Sequence, residues 1–111
     1  MVDFIKVRDV SADEFNFIID KAIEINPRFA HAYANRGIAY RKLGNPQKAI
    51  EDYDKAIEIY PRYAAAYANR GVAYKSLGNQ MQALEDMKTA AKLGDMNAQS
   101  LLRNNGIDWQ R

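Results

Sequence analysis

The chain repeats itself. Ala30–Tyr63 (AHAYANRGIAYRKLGNPQKAIEDYDKAIEIYPRY) and Ala64–Asn97 (AAAYANRGVAYKSLGNQMQALEDMKTAAKLGDMN) align without a gap at a period of 34 residues, and roughly half their positions are identical. A third copy survives in part, because Lys21–Ala30 (KAIEINPRFA) matches Lys55–Ala64 (KAIEIYPRYA). A fixed, gapless period of this length demands that each copy be one supersecondary unit, burying its apolar face against its neighbours.

The residues say what the unit is. Ala32, Tyr33, Arg36, Gly37, Tyr40 and Leu43 recur at spacings of three and four, which traces one stripe of a helix. Leu43-Gly44-Asn45 is a stop followed by a start. Glycine suits a left-handed C-terminal cap, asparagine caps the next helix, and Pro46 falls at the first helical position, where its missing N–H costs nothing. Ala49, Ile50, Tyr53, Ala56 and Ile57 form a second stripe, and Pro61 ends that helix. Each unit is therefore predicted to be an antiparallel pair of helices, about three turns each.

These residues resemble the tetratricopeptide repeat. Tyr33, Gly37, Tyr40, Ala49, Tyr53, Ala56 and Pro61 fill the family pattern in the first unit, and Tyr67, Gly71, Tyr74, Ala83 and Ala90 fill most of it in the second. Met87 replaces the second aromatic and Asp95 the proline, both toward the C-terminal edge of the array. Small residues at Gly37, Ala49 and Ala56 allow close helix approach. The tyrosines are expected to fill the wedges between pairs, with their hydroxyls satisfied at the edge.

The ends carry less signal. Ser11-Ala12-Asp13-Glu14 is a capping box, and Phe15, Ile18, Ile19, Ala22 and Ile23 make the apolar stripe of the helix it opens. In register this is the second helix of a preceding unit. Either Phe4, Ile5, Val7 and Val10 cover that stripe, or it is an open face that invites self-association. At the other end Asp95 is placed to cap a last helix packed through Ala98, Leu101 and Leu102, and Trp109 is expected to fold back onto it. The expected architecture is all-α: an α-solenoid of antiparallel helix pairs with a C-terminal capping helix. It divides into a leading segment and half-repeat (1–29), two repeats (30–63 and 64–97) and a capping helix with tail (98–111).

Composition narrows the chemistry. The 111 residues include no cysteine and one histidine, His31, so thiolate chemistry and a histidine metal cluster are ruled out. A net charge of +2 is far from the basic stripe of a nucleic-acid binder. No phosphate loop or nucleophile elbow is present. The recurrence of Glu51-Asp52 as Glu85-Asp86 marks those acids as structural. Arg36 and Asp52, and Arg70 and Asp86 at the same offset, are expected to bridge the two helices of their units. The N-terminus is neither a signal peptide nor a membrane span, which points to the cytoplasm. The chain is expected to be no enzyme, to hold no cofactor or metal, and to bind neither nucleic acid nor membrane.

The family resemblance implies a concave groove lined by the first helix of each repeat. Its positions here are His31, Ala34, Asn35, Ile38, Arg41 and Lys42, then Ala65, Ala68, Asn69, Val72 and Lys75, with Arg103 if the last helix keeps the register. Small residues leave room, the asparagines can serve a peptide backbone, and Arg41 and Lys75 make one rim basic. That composition suits an extended, somewhat acidic peptide or partner protein. The clamp by which some relatives hold an acidic chaperone C-terminus is matched only at Asn69 and Arg103, because Ala34, Ile38 and Gln99 occupy its other places. Homo-oligomerisation through the N-terminal face is the alternative.

Overall fold

The computed structural model describes residues 12–26 and 28–110. Among them are six α-helices and no strand: α1 Ala12–Ile25, α2 Ala30–Lys42, α3 Pro46–Ile59, α4 Ala64–Ser76, α5 Gln80–Lys92 and α6 Met96–Asn104. The helices pack in sequence order, α2 with α3 and α4 with α5, and α4 also packs on α3. This makes an elongated stack of 54 × 27 × 23 Å. Its radius of gyration, 15.5 Å, exceeds the about 13 Å expected of a compact domain of this length.

One device ends four of the six helices. Asn45 N–H donates to the Tyr40 carbonyl (2.8 Å) and Gly44 N–H to that of Arg41 (3.0 Å), a Schellman closure at the end of α2. The same pair of bonds recurs at Gly78-Asn79, Gly94-Asp95 and Gly106-Ile107. Gly44 takes φ +83°, the left-handed region this closure needs. After the first three of these glycines the next residue caps the following helix: Asn45 Oδ1 accepts from Lys48 N–H at 3.2 Å, and Asp95 Oδ1 from Ala98 N–H at 2.8 Å. Asn45→Ala should lower the unfolding free energy by about 1 kcal/mol in urea denaturation, with the helix content of the folded state unchanged.

The core is built of very small residues. Ala30, Ala34, Ala56 and Ala66 form one buried cluster, Ala49, Ile50, Tyr53 and Ala73 a second, and Ala90, Ala91, Ala98 and Leu102 a third. Alanines at these places bring helix axes close enough for backbone and ring to touch. Ile107 and Trp109 pack on the third cluster, so the aromatic tail does fold back. One expectation fails. Tyr53 is wholly buried and its hydroxyl finds no hydrogen-bond partner, rather than reaching an edge.

At the N-terminal end Ile19 is buried and Ala22 and Ile23 half-buried, as the stripe requires. Ile18 departs from it, standing exposed beside Phe17 and Ile25. Ser11 of the capping box and the segment Met1–Val10 lie outside the described residues, as does the side chain of Phe15.

Candidate functional site

The first helices of the repeats, α2 and α4, are held in place by arginine. Arg36 Nε and Nη2 donate to the two carboxylate oxygens of Asp52 on α3, each at 2.8 Å, and Nη1 reaches back to Asp20 on α1 at 2.6 Å. Arg70 repeats this with Asp86 on α5 (2.9 and 2.8 Å) and Asp54 on α3 (2.8 Å). The expected bridge within each unit is present. The bond to the preceding unit is additional, and its signal was available: Asp20 and Asp54 stand one period apart, sixteen residues before their arginines. Hydrogen bonds donated to Asp52 and Asp86 hold the two guanidiniums more firmly protonated than usual, against the opposing pull of burial. One period further on the places belong to Lys88 and Asn104, so the lattice stops at α6.

These ties fix which side chains α2 and α4 present. Ala65, Ala68, Asn69 and Val72 of α4 meet Asn97, Ala98 and Leu101 of α6 around a cavity of about 280 Å³, with Met87 and Asp95 completing the wall. Four of the residues nominated from the sequence are thereby brought together. The Asp95 carboxylate in that wall is engaged in capping α6. A second cavity, about 420 Å³, shares Val72, Met87 and Leu101 with the first and has Lys75 on its lining.

The first-repeat positions are more dispersed. Asn35 and Lys42 are exposed, Ile38 packs half-buried on the Tyr53 cluster, and neither cavity includes them. His31 is exposed, its ring 6.1 Å from that of Phe29 and 5.0 Å from that of Tyr63. Ala34 has only 4% of its surface exposed, packed against Ala30, Ala56 and Ala66, so it offers a ligand almost nothing. The reason is that a first helix in this array is sandwiched between neighbours, and an alanine at such a seam faces another helix.

Arg41 is likewise only partly available. Its Nε is buried without a hydrogen bond and its charge is felt at the Tyr53 hydroxyl, whose pKa burial pushes up and Arg41 draws part of the way back. Lys75, at the same register place, is exposed, and so is Arg103. The Asn69 amide makes no intramolecular hydrogen bond among the described residues.

Comparison with known proteins agrees with the helical-repeat fold. Residues 30–63 match one sequence model of the tetratricopeptide repeat, and residues 52–85 match a second. Among curated proteins nothing matches. Among solved structures, the chain is similar to the Arabidopsis OM64 TPR domain at 32% identity and a TM-score of 0.72, covering 83% of this chain and 79% of that one. It is similar to the first TPR of Spaghetti (RPAP3), solved with the HSP90 peptide SRMEEVD, at 26% identity and a TM-score of 0.77, covering 84% and 75%. MamA is similar at 30% identity and a TM-score of 0.67, covering 81% of this chain, which spans only 62% of the MamA chain.

Proposed function

The chain belongs to the tetratricopeptide repeat family, and on that premise we propose that it is a protein-interaction module that takes an extended peptide or partner segment along α2, α4 and α6. The observation that carries this is the cavity of about 280 Å³ between α4 and α6, where Asn69 stands unengaged among small and apolar residues. An asparagine amide free to donate and accept, beside alanines that leave room, is what an extended backbone needs. Lys75 and Arg103 add positive charge and favour an acidic segment.

The HSP90 peptide bound by Spaghetti is acidic, which supports the charge class. The clamp by which some tetratricopeptide proteins hold an acidic chaperone C-terminus does not fit this chain. Ala34 is buried, and the Gln99 amide is occupied, donating to the Ala91 carbonyl at 3.0 Å.

The test is affinity capture from the host lysate, wild type beside an Asn69→Ala, Lys75→Glu variant shown by circular dichroism to be folded. A protein retained by wild type and bound roughly tenfold more weakly by the variant supports the groove. Equal retention by both would remove it. A second reading, self-association through α1, is favoured by the exposure of Phe17 (62%), Ile18 (58%) and Ile25 (84%). Under it, sedimentation equilibrium shows a concentration-dependent dimer that Ile18→Lys abolishes.

A further inference from the structure

The two repeats are close copies, yet their interiors differ at one place. In the first, the Tyr53 ring lies so tightly under Gly37 that a Cβ added there would stand 2.6 Å from the ring. Ala73 packs beside that ring, and Tyr74 lies against the same cluster. One period on, Met87 stands for Tyr53, Ile107 for Ala73 and Asp108 for Tyr74. The covering helix is also shorter, since α6 runs 9 residues where α2 and α4 each run 13. The space filled in the first repeat is open in the second, as the cavity of about 420 Å³. That is within the range of ligand pockets, roughly 300–1,000 Å³.

We propose that this cavity is a binding site for an aromatic side chain of the partner, with Lys75 pairing to an acidic group beside it. The chain supplies its own template, because the counterpart space already holds an aromatic ring. Gly71, like Gly37, contributes no Cβ, and the nearest atom of Met87 would lie 3.5 Å from one. The walls are mostly apolar, formed by Val72, Leu84, Leu101, Leu102 and Ile107 with Gln80 and Asn105 beside them, and the methionine floor is flexible and suited to sulfur–ring contacts. Lys75 lines the same cavity, is exposed, and makes no ion pair among the described residues. The site rests on the groove reading for the course of the bound segment, because the two cavities share Val72, Met87 and Leu101.

The test needs no identified partner. The full chain, carrying carbon-13 methionine methyls, is titrated with N-acetyl-phenylalanine and with its neutral amide. Of the methionines among the described residues, Met87 alone lines the two cavities, while Met81 and Met96 are exposed and serve as controls. The Met87 methyl should shift saturably, with a Kd on the order of 1 mM. The acid should bind severalfold more tightly than the amide at low salt, and Lys75→Gln should erase that difference. Met87→Tyr, which fills the cavity as Tyr53 does, and Ile107→Phe, which fills it from the tail, should each weaken the probe at least about tenfold in ligand-observed saturation transfer. An unshifted Met87, equal shifts at Met81 and Met96, or undiminished binding by both filled variants would overturn the site. Equal affinities for acid and amide would overturn the pairing with Lys75. The groove reading fails separately, when Asn69→Ala leaves a captured partner in place.

Discussion

Replacing Arg36 by leucine should lower the unfolding free energy by about 3 kcal/mol, and Arg70→Leu by a similar amount. The cost comes from what is left behind. Asp52 and Asp86 keep only 7% of their side-chain surface exposed, and in the native chain each is held by both prongs of an arginine fork. Without the guanidinium a nearly buried carboxylate loses its charge partner and two hydrogen bonds, and water cannot replace them fully. The lower end of the range for buried pairs is expected because each arginine retains about a fifth of its exposure. Arg36 and Arg70 also lie over the rings of Tyr33 and Tyr67, at 5.6 and 5.4 Å, so packing is lost along with charge.

The control is built into the same network. Asp20 bonds the same guanidinium, but its side chain is 57% exposed, so Asp20→Asn should cost less than about 1 kcal/mol. A cycle of Arg36→Gln and Asp52→Asn should show coupling above about 1 kcal/mol, while Arg36→Gln with Asp20→Asn shows a few tenths. Equal coupling to the two aspartates would mean that burial is not what makes the fork strong. A single Arg36→Leu should lower the melting temperature by about 10 °C or more, for a domain of this size.

Most of this architecture is legible in the residues, because period and punctuation are local. Asn45 and Asp95 cap where they should, and Gly44, Gly78, Gly94 and Gly106 all adopt the left-handed turn that a helix stop requires. Arg36 with Asp52 is legible because the pair repeats inside the unit. Arg36 with Asp20 is harder to read, since the bond crosses from unit to unit and its trace is the one-period recurrence of Asp20 as Asp54. Ala34 misleads for a related reason. An alanine on a helix with neighbours on both sides reads the same whether it faces a groove or a seam, and only packing against Ala66 reveals the seam. The cavities are the least legible. Met87 and the early stop of α6 are both visible in the chain, but the space they open belongs to their combination with Val72 and Leu101 from other helices.

Tyr53→Ala should be the most damaging single truncation, at about 3–5 kcal/mol, because among the described residues Tyr53 is the largest side chain with no exposed surface. The same ring makes Gly37 sensitive. A methyl at Gly37 would meet ring carbons of Tyr53 at 2.6, 2.9 and 3.1 Å. The ring has no room to yield, being enclosed by Ala49, Ile50 and Ala73. Gly37→Ala should therefore cost about 1–2 kcal/mol net, an overpacking penalty of about 1–3 kcal/mol partly offset by the better helix propensity of alanine. Gly71→Ala should cost less, because its added Cβ would meet the Ala83 carbonyl oxygen at 3.1 Å and Asp86 Cβ at 3.2 Å, tight contacts but none under 3.0 Å, with the flexible end of Met87 at 3.5 Å. Tyr53→Phe separates ring from hydroxyl. The hydroxyl makes no well-formed hydrogen bond but lies within the influence of Arg41, so its removal should change stability by less than about 1 kcal/mol. Tyr53→Met copies the second repeat into the first and should relieve Gly37→Ala, the two changes together costing about 1 kcal/mol less than their sum. Additive costs would mean that the ring moves aside, and that the glycine is kept for helix approach rather than for the tyrosine.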